Sequence, residues 1–222
     1  MTASPRPLPS TSVEEALWAG PCRYVAGVDE VGRGPLAGPV YAAAVILDPA
    51  ARPGWLSEVR DSKVLTAAER ERLSEAVRAE APAFGIGWAS VAEIDAWGIT
   101  KANRVAMMRA LSRLPLQAEH VLIDGPSRLP DWPAPQQAIV DGDATCASIA
   151  AASIVAKVAR DAVMAQLDSY YPMYGFGSHK GYSTPYHLKQ IELHGLCAQH
   201  RRSWGAVARR GRRFEEGAIA TG

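Results

Sequence analysis

Short apolar runs bounded by turn residues mark the strands of this chain. Arg23 to Asp29 (RYVAGVD) and Val40 to Leu47 are rich in valine and alanine and are separated by a Gly/Pro-rich stretch, which predicts two strands joined by a tight connection. Ala83 to Ser90 (AFGIGWAS) predicts a third. His120 to Asp124 (HVLID) and Gln136 to Val140 predict two further, buried strands. Between the second and third, Thr66 and Glu69 have capping-box spacing before a charged segment to Ala81, as on a solvated helix. Thr100 caps an expected helix through Leu114, whose Val105, Met108 and Leu111 recur near the helical period. Ala144 to Leu167 reads as one long helix dense in alanine, able to approach a sheet closely. The order implies a mixed five-stranded α/β sheet flanked by helices.

Composition adds bounds. The 222 residues suit one catalytic domain with tails, expected here as a flexible segment 1–20, a domain 21–207 with a helical C-terminal part, and a flexible basic tail 208–222. The longest apolar run is too short to cross a bilayer as a helix. No stretch near the start has signal-peptide character, so a cytoplasmic protein is expected. Cys22, Cys146 and Cys197 are odd in number and widely spaced, which argues against zinc or disulfide chemistry. The formal charge of +1 hides an asymmetry: the C-terminal third is basic, and Arg201, Arg202, Arg209, Arg210, Arg212 and Arg213 could track a phosphate backbone or simply form a solvated tail.

The candidate chemistry lies where strands end. Asp29 and Glu30 follow the first, Asp124 the fourth and Asp143 the fifth. Clustered carboxylates repel unless a cation neutralises them, and oxygen-only ligation favours a hard ion such as Mg2+ or Mn2+. Taken singly, Asp124 before Gly125-Pro126 is a turn former and Asp143 a helix cap. Adjacent Asp29 and Glu30 can share a site only if the strand twists or ends there. Gly32, Arg33, Gly34 and Ala37 match the dinucleotide-binding glycine spacing, but Pro35 and Pro39 bracket the segment and no helix opens after it. The glycines read instead as a loop able to approach a sugar or phosphate closely.

The run GVDEVGRGPLAGPVYAAAV at 27–45 resembles the opening signature of the ribonuclease HII family. Asp61-Ser62-Lys63, Ile123-Asp124-Gly125, Gly142-Asp143, AAASIVAKVARD at 150–161 and His179-Lys180-Gly181-Tyr182 resemble its later elements, in its order. The resemblance implies an RNase H-like fold, with Asp29, Glu30, Asp124 and Asp143 holding two divalent ions, Mg2+ or Mn2+. It implies that Gly32, Arg33 and Gly34 read the ribose 2'-hydroxyl and that Tyr182 stacks on the sugar at an RNA-DNA junction. Lys63, Lys157, Arg160 and Lys180 would contact phosphates, although Lys157 could equally pair with Asp161. The implied substrates are RNA-DNA hybrids and DNA duplexes containing ribonucleotides. Cleavage is expected on the 5' side of the ribonucleotide, leaving a 3'-hydroxyl and a 5'-phosphate, by a chain acting as a monomer. Asp141 departs from the pattern and makes a second candidate acid beside Asp143.

The rivals are another nuclease of the same fold, a hybrid-binding module without catalysis, and a dehydrogenase using the glycine loop. The four acids argue against the binding module, and the missing helix after the glycine loop against the dehydrogenase. The Gly-Arg-Gly run and Tyr182 argue against the first.

Overall fold

The computed structural model describes residues 8–51 and 53–220. The strands are β1 (Val25–Val31), β2 (Val40–Ile46), β3 (Ala83–Ala89), β4 (His120–Asp124) and β5 (Gln136–Ile139). The helices are α1 (Ser12–Trp18), α2 (Ala67–Glu80), α3 (Val91–Trp97), α4 (Ile99–Ser112), α5 (Gly142–Thr145), α6 (Ala147–Tyr170), α7 (Phe176–His179), α8 (Pro185–His194) and α9 (Gly205–Ala220). Contacts divide the chain into two compact units. One is drawn from Met1–Val31, Tyr41–Trp88 and Arg104–Val158, the other from Gly32–Val40, Ala89–Asn103 and Ala159–Gly222. Among the described residues no helix is long and apolar enough to cross a membrane.

The first unit holds a mixed sheet in the order β3-β2-β1-β4-β5. β1 runs antiparallel to β2 and parallel to β4, which is itself parallel to β5. One face buries a core in which small residues dominate: Ala43 and Val45 of β2 meet Ala147, Ala150, Ala151, Ile154 and Val155 of α6. Gly27 shows how closely strand and helix approach, since a Cβ there would collide with the main chain of Ser148 and Ile149. The α2 capping box forms as expected, with Thr66 accepting from the Glu69 amide and Glu69 from the Thr66 amide.

Several expectations change. The expected flexible segment 1–20 contains α1, and only residues 1–7 lie outside the described part. α1 is anchored because buried Glu14 accepts the Ser148 amide at 2.8 Å and the Cys146 thiol at 3.1 Å, placing a carboxylate at the start of α6. Burial, and then the charge of Glu14, pushes the Cys146 thiol up to about 12. The single long helix expected from Ala144 is two, because Cys146 is extended (φ -117°, ψ 123°) and breaks the run. Beyond β3 a second capping box, Ser90 with Glu93, starts α3; Gly98 at φ 78° closes it, so α4 begins at Ile99, ahead of Thr100.

The second unit combines helices with the 32–40 loop and the connections between them. Its core gathers Leu36, Ala37, Met164, Tyr174, Phe176, Ile191 and Val207. Within the expected tail 208–222, α9 runs through Ala220, and residues 221–222 lie outside the described part. α9 is joined to the core: Val207 is fully buried, Gly211 is closed against Leu196, and Arg210 pairs with Glu192 at 3.4 Å.

Candidate active site

β1 and β4 lie side by side and parallel, with Val28 level with Ile123, so the next residues, Asp29 and Asp124, come to the same height. Carboxylate oxygens of Asp29, Glu30 and Asp124 all lie within 4.8 Å of one another, the group among the described residues that could hold a metal ion. Adjacent Asp29 and Glu30 share this place because β1 ends directly after them, at Val31. Asp29 is 4% exposed, accepts the Glu30 amide at 2.6 Å and takes a hydrogen bond from the Ser153 hydroxyl of α6. Ser153 lies in turn 3.1 Å from the Ser62 hydroxyl.

The electrostatics are dominated by crowded, partly buried negative charge. Burial raises the Asp29 carboxyl well above its ordinary range, and the charges of Glu30 and Asp124 push it further in the same direction. Asp124 is raised as well, by burial first and by the charge of Asp143 second, against the amide hydrogen bonds it receives. A group of acids that resists ionisation in the free protein is one that a cation would relieve. All the ligand atoms are oxygens, as hard divalent ions prefer.

Asp143 is joined to the group through the main chain. Asp124 Oδ1 accepts the amides of Gly142 at 2.8 Å and Asp143 at 3.3 Å, while the Asp143 carboxylate accepts Lys63 Nζ at 3.1 Å. Three of the four expected acids therefore share one cluster and the fourth stands beside it in an ion pair. Lys63, expected at a phosphate, is placed against Asp143 and lies 3.6 Å from Asp61. Burial lowers its ammonium, but the Asp143 hydrogen bond and the surrounding acids outweigh it and raise the group overall. Asp141 is exposed, in the left-handed region at φ 52°, where a short polar side chain is tolerated, and heads α5 instead of joining the acids.

In the second unit the Gly-Arg-Gly turn is held from beneath by two buried arginines. Arg201 donates to the carbonyls of Gly32 (2.6 Å), Arg33 (2.8 Å) and Gly38 (2.8 and 3.0 Å). Arg160 donates to Pro39, Ala37 and Lys180 carbonyls at 3.0, 3.3 and 3.1 Å. Both guanidiniums are fully buried. Burial, and then the charge of Arg160, lowers Arg201 to about 9. Arg160 is therefore a support of the turn, correcting the expectation of a phosphate contact: its donors are spent on main-chain carbonyls out of reach of solvent. Arg201 likewise leaves the set of arginines expected to track phosphates.

Gly32 is at φ +93° and a Cβ there would run into Arg160. Gly34 and Arg33 are exposed, and Tyr182, 45% exposed, has its ring next to Gly34. The structure thus gathers the expected sugar-reading turn and Tyr182 in one place. Lys180, left-handed at φ 53°, turns Nζ onto the Gly177 carbonyl at 2.5 Å, and Lys157 is half-buried on α6. Ser153, His187 and His200 are not singled out by the sequence, and Arg201 is named there only within a basic run. Ser153 falls inside the AAASIVAKVARD run, the one signal that pointed to it.

The comparisons agree with this geometry. The profile of the family described as Ribonuclease HII matches residues 26–207. A relative named Ribonuclease HII from Acidovorax sp. (strain JS42) is 56% identical over 196 residues, covering 88% of this chain and 92% of its own. The crystal structure of the ribonuclease H2 from Pyrococcus horikoshii OT3 superposes with a TM-score of 0.76 at 28% identity, over 87% of this chain and 99% of that one. The RNase HII of a PCNA:RNase HII complex from Archaeoglobus fulgidus gives 0.68 at 26% identity, over 82% of this chain and 95% of that one. The mixed five-stranded sheet with flanking helices is accordingly an RNase H-like fold, and the chain belongs to the ribonuclease HII family.

Proposed function

We propose that this ribonuclease hydrolyses the RNA strand of RNA-DNA hybrids and single ribonucleotides embedded in duplex DNA. It cuts 5' to the ribonucleotide and leaves a 3'-hydroxyl and a 5'-phosphate. The observation that carries the reading is the set of Asp29, Glu30 and Asp124 oxygens within 4.8 Å of one another, with Asp29 buried and raised by its neighbours.

Asp29, Glu30, Asp124 and Asp143 would hold two divalent ions, Mg2+ or Mn2+, which when bound supply activation of a water and stabilisation of the leaving 3' oxygen. The chain's own contribution is to keep the ligands in place. The Glu30 amide and the Ser153 hydroxyl orient Asp29, and the Gly142 and Asp143 amides orient Asp124. Lys63 pairs with Asp143 in the free protein and would exchange that partner for a phosphate of the substrate. Gly32, Arg33 and Gly34 read the 2'-hydroxyl through main-chain groups, and Tyr182 stacks on the sugar. Lys157 and Lys180 supply positive charge to the backbone of the substrate.

The test compares three duplexes: one with a single embedded ribonucleotide, one all-RNA/DNA hybrid and one all-DNA control, each with Mg2+, Mn2+ or chelator. Cleavage of the first two, absent with chelator and yielding 3'-hydroxyl and 5'-phosphate ends, is expected. Equal cleavage of the all-DNA control, or turnover undiminished by chelator, contradicts the reading.

A further inference from the structure

Behind Tyr182 lies a file of three histidines whose protonation states follow from their partners. His187 Nδ1 is 2.8 Å from the Tyr182 carbonyl, which can only accept, so Nδ1 carries the hydrogen. A neutral His187 ring then has a bare Nε2. That atom is 3.1 Å from His200 Nε2, so His200 must be the donor. His200 Nδ1 is therefore bare, and it accepts the Cys197 amide at 3.0 Å. The chain of donors runs one way, from the Cys197 amide through His200 and His187 to the Tyr182 carbonyl, which also accepts the Thr184 amide at 2.9 Å. His179 stacks on His187 at 4.4 Å, takes the Gly181 amide on Nδ1 at 3.2 Å and donates from Nε2 to the Tyr174 carbonyl at 2.7 Å.

We propose that His187, oriented by His200, is a positioning residue for Tyr182: its Nδ1–H fixes the tyrosine main chain and so sets where the ring stands beside Gly34. The inference rests on the reading that Tyr182 contacts the sugar. It deepens that reading by making the tyrosine's placement depend on a neutral imidazole pair. His187 and His200 are fully buried, and Phe176 packs its ring on both. The titratable and charged groups facing the pair are His179, Tyr174, Cys197 and Arg202. Burial first, and for His200 the neighbouring His187 and the charge of Arg202 after it, oppose protonation, so the relay keeps its direction at neutral pH.

Two substitutions separate positioning from simple support. Asn at position 187 puts an amide nitrogen close to where Nδ1 lies and can still donate to Tyr182; Gln reaches instead toward the position of Nε2. With folded fractions matched by thermal unfolding, His187→Gln is expected to lower kcat on the single-ribonucleotide duplex about tenfold, the scale of a misplaced contact group, with KM little changed. His187→Asn should recover most of that loss. In a Tyr182→Ala background, His187→Gln should add nothing further. Full activity of Tyr182→Ala would sink the role of the tyrosine itself. Impairment by Tyr182→Ala with an independent, multiplicative loss from His187→Gln, or equal losses for Gln and Asn, would overturn the positioning role alone. Should both variants fail to fold, nitrogen NMR of the wild-type histidines decides. Hydrogen on Nδ1 of His187 and on Nε2 of His200 is expected, and the opposite tautomer at either ring refutes the relay.

Discussion

A methyl group built on Gly34 would stand 3.8 Å from Cε1 of Tyr182, in ordinary van der Waals contact with the ring. Gly34 has no positive φ, whereas Gly32, two residues earlier, is at φ +93° with the Arg160 side chain where its Cβ would go. The two glycines of one motif are therefore required for different reasons, one for folding and one for room at the surface.

Gly34→Ala should leave thermal stability within about 0.5 kcal/mol of the parent, as for a surface change without strain. It should nevertheless lower cleavage at a ribonucleotide, because the methyl occupies the space beside Tyr182. Gly32→Ala should instead cost about 1–3 kcal/mol from its left-handed conformation alone, with the Arg160 collision in addition. Unfolding curves measured beside cleavage rates check the contrast; similar stability losses in both variants would contradict it.

The acids predict a trade between stability and activity. Asp29 is raised by burial, Glu30 and Asp124, so in the metal-free protein its folded-state pKa lies above the unfolded one. The native state then binds more protons than the unfolded state in the window between the two, and stability from this group falls as pH rises through it. Asp29→Asn removes that charge and should raise the Tm of the metal-free protein at neutral pH, while cleavage drops by a factor of about a thousand or more. Adding Mg2+ or Mn2+ should stabilise the parent and not the variant. A variant less stable than its parent in chelator would show that the carboxylate is not under repulsion.

How far the sequence discloses this arrangement depends on where each residue's partners come from. The strands were legible because their apolar runs are local: His120–Asp124 coincides with the expected segment and the other strands differ by at most two residues at an end. Asp29, Glu30 and Asp124 were legible because strand ends bring acids together in any sheet with β1 beside β4. Arg160 and Arg201 were not. An arginine reads as solvated until a loop elsewhere offers it carbonyls, and those that bury Arg201 are 163 to 169 positions away. Glu14 was hidden in the same way, since its partner amide is 134 positions distant. The arginine-rich end reads as a tail from its charge alone, yet it continues a helix whose first turns are held to the core by buried Val207.

Glu14 gives a test of the corrected N-terminal segment. Its carboxylate supplies the acceptor for the Ser148 amide in the first turn of α6, the helix that also carries Ser153. Glu14→Ala should destabilise by about 1–2 kcal/mol, the usual cost of a lost helix cap, and Glu14→Gln by less because an amide oxygen can still accept. Denaturant unfolding measures both. No change on Glu14→Ala would mean that α1 does not anchor the helix.

The buried histidine pair predicts acid sensitivity. Burial, followed for His200 by the neighbouring His187 and Arg202, lowers His187 to about 4 and His200 to about 3, whereas an unfolded histidine titrates near 6.5. Between those limits the unfolded state carries more protons than the native one, so stability from the pair is present in full above about pH 6.5 and is lost as pH falls toward 4. The loss should be of the order of a few kcal/mol. It should appear as a Tm that drops between pH 6.5 and 4, beyond what the carboxylates explain, and His200→Gln should flatten this part of the profile while lowering the plateau at neutral pH. Because Asp29 changes stability in the opposite sense as pH falls, the measurement belongs in the Asp29→Asn background, where the histidine contribution stands clear. A Tm that holds level there from pH 6.5 to 4 would mean that the relay accepts protons without opening.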